Sequence, residues 1–512
     1  MRTARVSRRQ SGARQGRALT GPAVAVLASA VATLSACGGG GEAPPPTTAP
    51  PPPVASVTVS PAGPSVVVGQ SQQLTATLRD QSGNALAGRS VVWESGGELV
   101  ATVSTTGMVT GVAAGSATVT ATSEGKTGNA TVSVIPAPVI STVTFASVAA
   151  GGAHTCALSA SGAAYCWGRG ESGQLGVPVP TRTCPTDGGP FPCSPVPVPV
   201  QGGLAFTQLA GGGAHTCGLT SDGTAYCWGS GESGQLGAGP SASREAPVAV
   251  ATGLRFASID AGAQHTCALT SEGTAYCWGR NDRGQLGDGT TTARSGPVAV
   301  TGGHTFRSIA AGGFSIGHTC ALTTGGDPYC WGDNERGQLG NGQSDVTAHP
   351  EPARVIGAFT FAALTAGLGR HTCGLTGTGA AYCWGDNGFG ALGNGSPAAS
   401  PVPVGVRGGL VLTQLIAGGF IGHTCGLTAA GTAHCWGDNE VGQVGDGSTV
   451  DRLEPSAVAG GLSFSSLDAG FRHSCGRATN GAVYCWGSGG AGQLGINSTN
   501  PALSPTKVVG QP

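Results

Sequence analysis

His154-Thr155-Cys156-Ala157-Leu158, then Tyr165-Cys166-Trp167-Gly168, then Gly173-Gln174-Leu175-Gly176: a stretch of this kind returns six more times, opening at His215, His265, His318, His371, His423 and His473. The intervals between the histidines are 61, 50, 53, 53, 52 and 50 residues. A period of about 50 residues with several strand-like pieces per unit marks a β-propeller, in which each sheet buries its faces against its neighbours. Residues 140–512 divide into seven such units. The expected class is therefore all-β, and a seven-bladed β-propeller is expected for this part of the chain.

The residue types agree with that geometry. A run of small residues precedes each histidine, as in Val148-Ala-Ala-Gly-Gly152 and Leu209-Ala-Gly-Gly-Gly213, and such residues suit strands that converge near an axis. Every unit has one tryptophan after its second cysteine, Trp167, Trp228, Trp278, Trp331, Trp384, Trp436 and Trp486. One per unit reads as packing between sheets. Pro/Val strands such as Ala246-Pro-Val-Ala-Val250 separate the units, and a last one, Ser504-Pro-Thr-Lys-Val-Val509, follows the seventh. That last strand is expected to pair with the first blade and close the ring, removing an exposed edge.

This pattern of Leu, Trp-Gly and Gly-Gln-Leu-Gly resembles the repeats of the regulator of chromosome condensation family, over about 370 residues. Ala391 for Gln, His434 for Tyr, Val444 for Leu, and Ser474 and Arg477 in the seventh unit depart from it. The eukaryotic namesake is a nucleotide exchange factor acting on chromatin, while secreted bacterial members bind a protein through one propeller face. Exchange does not carry over, since no exchange-active residue is matched here.

Of 17 cysteines, fourteen fall in pairs ten positions apart: Cys156 and Cys166, Cys217 and Cys227, Cys267 and Cys277, Cys320 and Cys330, Cys373 and Cys383, Cys425 and Cys435, Cys475 and Cys485. A Gly-containing turn lies midway in each, so a hairpin would set the two cysteines opposite one another, where a disulfide fits. Cys184 and Cys193, in the insertion after the first blade, make an eighth pair. Each hairpin bridge is worth roughly 3 kcal/mol in the chain-entropy model, and less where the hairpin persists in the denatured chain. The competing reading is zinc, because each unit offers one His and two Cys. Paired Cys-x-x-Cys spacing is absent, however, and an exported chain meets an oxidising environment. No metal and no cofactor is expected. The clusters Gly287-Asp288-Gly289, Gly332-Asp333-Asn334-Glu335 and Gly445-Asp446-Gly447 read as turns rather than calcium loops. No Gly-x-Ser-x-Gly, His-Glu-x-x-His or phosphate loop occurs, and no catalytic residue is assigned.

Residues 1–36 carry Arg2, Arg5, Arg8, Arg9, Arg14 and Arg17, no acidic residue, and then the apolar run Ala23–Val31. That run is too short for a permanent span and right for a secretory signal. Leu34-Ser35-Ala36-Cys37 resembles the lipobox of bacterial lipoproteins, which implies lipid on Cys37. The alternative is an ordinary signal peptide with a chance cysteine. Removing the six arginines leaves 19 basic against 26 acidic residues, a net of −7, with Lys126 and Lys507 the only lysines. Nucleic-acid binding by a basic face is thereby disfavoured. Residues 37–53 are a Gly/Pro-rich tether. Residues 54–135 alternate with period two in short runs separated by turns, as a small β-sandwich does. Their order resembles the bacterial Ig-like domain, group 2, with Trp93 as its core tryptophan.

The expected protein is an exported lipoprotein, lipid-anchored to the bacterial cell envelope, whose stapled propeller binds an unknown protein ligand as an adhesion or scaffold module. The insertion 177–200 breaks the repeat and is the expected contact surface. A glycan-modifying enzyme of the cell wall, marked by convergent carboxylates, and a purely structural spacer are the alternatives.

Overall fold

The computed structural model describes residues 51–68, 71–135, 142–178, 182–184, 190–239, 242–313, 316–419 and 422–512. The signal segment 1–36, Cys37 and the tether as far as residue 50 lie outside them. Among the described residues there is no helix, so none is long and apolar enough to cross a membrane. The chain divides into two units, Met1–Ala137 and Pro138–Pro512.

In the first unit the period-two runs form strands. Ser56–Ser60 pairs antiparallel with Thr75–Arg79. Ser65–Val67, Lys126–Ile135, Gly115–Ser123 and Val92–Ser95 make a four-stranded sheet, and Ser71–Gln73, Met108–Gly111 and Ala101–Val103 a three-stranded one. Alternate side chains of these strands, among them Val57, Leu78, Val109, Val119 and Val132, share one apolar core. Trp93 is not at its centre: it stands on Val92–Ser95, an edge strand, and packs half-buried against the core. Its ring lies over Gly107, where a Cβ would come within 2.8 Å of it.

In the second unit seven antiparallel sheets follow one another, each with the same four-strand order. In the first, Phe145–Ala150, His154–Ser159, Ala164–Arg169 and Phe191–Pro199 are neighbours in that order, and the short strand Thr183–Cys184 adds a fifth. The middle hairpin turns at Gly162, whose φ of 81° a side chain would resist. It sets Cys156 opposite Cys166, and the same register recurs in every unit. The seven hairpin pairs are disulfides with Cα–Cα distances of 4.0 or 4.1 Å. Cys184–Cys193 ties the insertion to itself across 5.8 Å. Each hairpin disulfide faces the following sheet, where Cys156 and Cys166 meet Phe206 and Trp228.

The Pro/Val strands are the fourth strands of their own sheets, and the last is no exception. Ala502–Lys507 pairs with Val483–Gly487, Tyr484 opposite Lys507, and not with the first sheet. Proline suits this outermost position, since an edge strand needs no N–H on its solvent side. The first and seventh sheets meet in other ways. Val143 N–H donates to Gly510 O at 2.9 Å, Ala150 N–H to Asp468 Oδ2 at 2.9 Å, and Trp167 Nε1–H to Gln493 O at 2.9 Å.

At the convergent strand ends, small residues let backbones bond directly between sheets: Gly152 N–H to Gly212 O at 2.9 Å, Gly313 N–H to Gly367 O at 2.9 Å and Gly419 N–H to Gly470 O at 2.9 Å. Small residues do not fill every such position. Leu368 and Phe471 stand there in units five and seven, and the Phe471 ring would meet a Cβ placed on Gly152 or on Gly419 at 2.7 Å. That ring takes up the space its glycine neighbours leave.

Candidate functional site

The repeated histidines are buried, none more than 1% exposed, and they bond across the sheets. His154 Nε2 lies 2.9 Å from Thr216 Oγ1, His215 2.9 Å from Thr266, His265 3.0 Å from Thr319, and His318 2.9 Å from Thr372. His371 lies 2.9 Å from Thr424, His423 2.9 Å from Ser474 Oγ, and His473 2.8 Å from Thr155, which returns the series to the first sheet. Each of these hydroxyls also donates to the carbonyl of the preceding unit's Gly-Gln-Leu-Gly turn, as Thr216 does to Gln174 O at 3.0 Å. A hydroxyl has one proton, so it accepts from the imidazole, and every histidine carries its proton on Nε2. Their Nδ1 atoms have no partner among the described residues. Burial holds the imidazoles far below the usual range, at about 4 for His154, His265 and His371 and about 3 for His215, His318, His423 and His473. The tryptophan indoles share the same carbonyls, Trp228 Nε1–H reaching Gln174 O at 3.0 Å. This His, Cys, Cys set does not fit zinc, because its sulfurs are bonded to each other and its Nε2 atoms face a neighbouring hydroxyl.

The innermost strands expose one edge, and side chains from the preceding sheet occupy it. Gln208 bonds Ile259 through both N–H and C=O, Gln414 does the same to Leu467, and Thr365 accepts from Ala417 N–H. Asp260 accepts from Ala311 N–H and Asp468 from Ala150 N–H, each at 2.9 Å. Burial outweighs those bonds and pushes the carboxyls up, Asp260 to about 6 and Asp468 to about 7.

The acidic turns are likewise engaged. Arg294 grips Asp288 at 2.8 Å and Arg452 grips Asp446 at 2.6 Å, so a guanidinium stands where the calcium reading would put a cation. Asn281, Asn334, Asn387 and Asn439 tie these loops through their side-chain amides, Asn281 to Thr290 O and Thr292 O at 3.0 Å. Arg283, Arg370 and Arg336 reach across sheets to Asp333, Glu335 and Asp386.

Non-repeating residues gather beside the insertion. A cavity of about 590 Å³ opens where units seven, one, two and three meet. Its floor is small residues, Gly152, Gly213 and Ala263, and its walls include Gln174, Gln235 and Gln493. Arg169, Glu171, Phe191, Phe471 and Arg472 complete it. Arg169 pairs with Glu171 at 2.6 Å and lies 4.8 Å from the centre of the Phe191 ring; Arg472 pairs with Glu440. Of the insertion singled out from sequence, Phe191 reaches the cavity, beside the Cys184–Cys193 bridge. Sequence reading missed the glutamines, which look like turn residues, and Phe471, whose size among glycines was the available signal.

The family model of the RCC1-like domain matches residues 64–369 and again 194–511. Among curated proteins, the Ultraviolet-B receptor UVR8 of Arabidopsis thaliana is 33% identical over 315 residues, covering 61% of this chain and 57% of the receptor. The human E3 ubiquitin-protein ligase HERC2 is 29% identical over 61% of this chain but 5% of its own length. The chain thus spans about half of the first relative and a small part of the second. Among solved structures, human WBSCR16 superposes with a TM-score of 0.59 at 22% identity, over 68% of this chain and 94% of that one. Yeast RCC1 (Prp20), solved with Kap60, superposes with a TM-score of 0.57 at 21% identity, over 67% and 83%. With its repeated four-stranded sheets and the family match, this chain belongs to the RCC1-like domain family.

Proposed function

We propose that this chain is an exported lipoprotein, anchored through Cys37 to the bacterial cell envelope, that displays a seven-bladed, disulfide-stapled propeller (140–512) as a protein-binding module and carries an Ig-like sandwich (54–135) earlier in its sequence. One observation carries the protein-binding part of the reading: the repeated histidine, threonine and tryptophan groups are spent between sheets, while the cavity beside the insertion is lined by Phe191, Arg169 and Phe471, which do not recur in every unit. A binding surface needs such asymmetry on a rigid support. The yeast relative was solved in complex with a protein, Kap60, which agrees with this use of the fold. Glycan cleavage has less support, since hydrolysis uses a pair of convergent carboxylates and, among the described residues, Glu171 is the one carboxylate that lines the cavity.

A photo-crosslinking residue at Phe191, compared with one at Thr378 on a hairpin at the far end of the strands, tests the reading in envelope preparations of the native host. A discrete adduct from the first position and none from the second is expected. Equal labelling from both, or none, would overturn it. Mass spectrometry of the N-terminal peptide tests the anchor: an acylated Cys37 is expected, and an unmodified or internal Cys37 sinks that part.

A further inference from the structure

The glutamine of the Gly-Gln-Leu-Gly turn has a carboxylate partner in units four and six and none in units one and seven. Gln338 Nε2 donates to Asp333 Oδ2 at 2.6 Å, and Gln443 Nε2 to Asp438 Oδ2 at 2.5 Å. In each case the aspartate stands five residues earlier. Five residues before Gln174 and Gln493 the chain has Arg169 and Ser488 instead. These two glutamines use Oε1 to accept a backbone N–H of their own turns, from Ser172 at 3.0 Å and from Ala491 at 2.8 Å. Their Nε2 groups meet no acceptor among the described residues and open onto the cavity that both residues line, while the residues as a whole are 2% and 4% exposed. An amide donor that faces a cavity and has no protein acceptor is open to a ligand that brings one.

The surroundings select which acceptor. Among the described residues, two arginines, Arg169 and Arg472, and one carboxylate, Glu171, line the cavity. That carboxylate is already paired with Arg169, whose Nε is buried and bonds nothing among the described residues. Phe191 and Phe471 supply apolar wall for a methylene stem. Within the fold itself, the same amide in the same turn takes an aspartate.

We propose that this cavity binds a carboxylate, presented as a glutamate or aspartate side chain by an acidic segment of a partner protein, in the role that Asp333 and Asp438 play in units four and six. The proposal deepens the protein-binding reading and rests on it. Gln174 and Gln493 donate to the carboxylate oxygens, and Arg169 balances the charge.

The test uses the full chain labelled with ¹⁵N in its glutamine side-chain amides. Three probes are titrated: a capped Gly-Ser-Glu-Glu-Ser-Gly peptide, its twin with Gln for both Glu, and N-acetylglutamate. Saturable shifts of the Gln174 and Gln493 amides with the acidic peptide are expected, at affinity at least tenfold above the neutral twin. The double variant Arg169→Asp, Ser488→Asp supplies the missing carboxylates from within. It should lose at least tenfold in peptide affinity while melting no lower than the parent chain. Should it fail to fold, Gln174→Leu with Gln493→Leu replaces it and should lose binding to the same extent. Equal affinity for the neutral twin, no saturable shift with any probe, or full binding by the variants overturns the carboxylate site. Binding of N-acetylglutamate as tight as that of the peptide keeps the site but overturns its protein source.

Discussion

Acid should unfold the propeller at a pH where most exported domains persist, because seven imidazoles are held neutral inside it. In the unfolded chain each histidine titrates near 6.5, whereas in the fold the seven lie at about 3 or 4. Their contribution is fully present above pH 6.5 and is lost as pH falls toward the folded values. At pH 5 the unfolded state gains about 2 kcal/mol per histidine by binding protons the fold refuses, or about 14 kcal/mol for seven. Carboxyls held up by burial oppose this: Asp260, Asp468, Asp333 and Asp438. Asp260 and Asp468, raised to about 6 and about 7, take up protons in the folded state first and return at most about 4 kcal/mol between pH 7.5 and 5. With Asp333 and Asp438 acting in the same direction, the balance is a loss of at most about 10 kcal/mol, the size of a whole domain's stability. Calorimetry and the fluorescence of the seven buried tryptophans, followed from pH 7.5 to 4.5 at constant ionic strength, measure it. The melting temperature should fall steeply below pH 6.5, and the tryptophan emission should shift to the red by pH 5 with the disulfides intact. A melting temperature level within a few degrees from pH 7.5 to 5 refutes the reasoning. So does titration near 6.5 of the Cε1 resonances of these seven histidines in a chain that stays folded.

Trp228→Phe removes the indole donor to Gln174 O and leaves a gap; it should cost about 2–4 kcal/mol by denaturant unfolding, and no change in midpoint would show the indole to be expendable. Asn281→Ala deletes the amide that ties Thr290 O and Thr292 O, so hydrogen exchange should rise in residues 286–293 with a stability loss of about 1–3 kcal/mol; unchanged protection there would count against the loop staple. Truncation after Gly495 removes Ala502–Lys507 and the buried Val508. Exchange should rise first in Val483–Gly487, its strand partner, whereas a rise confined to Phe145–Ala150 would mean that the last strand does pair with the first sheet.

What could be read from the chain was local. A spacing of ten residues about a glycine turn sets Cys156 against Cys166 without reference to anything distant, and one tryptophan per unit places the large buried side chain. The destinations of the polar groups could not be read that way. His154 and Cys156 do lie on one face of their strand, as alternation requires. On that face, however, the cysteine bonds back across the hairpin while the histidine reaches Thr216, 62 residues on. Only the stacking of whole sheets brings those two together. The same limit misplaced the final Pro/Val strand, since pairing within a sheet and closure between sheets use the same residue pattern.

That division between hairpin and stack also explains where specificity can arise. A residue spent inside its own hairpin serves every unit alike, so a change there damages one sheet. The turn glutamine is spent on an aspartate five positions before it in its own unit, so substitution of that one partner frees it while the bonds between sheets persist. Arg169 and Ser488, standing where Asp333 and Asp438 stand in other units, leave Gln174 and Gln493 with unused donors while the histidine, threonine and tryptophan bonds around them continue. The bonds between sheets are thus the condition for the proposed site: because they hold the turns in place, two amides without a protein acceptor stay open to the cavity rather than collapsing onto a neighbour.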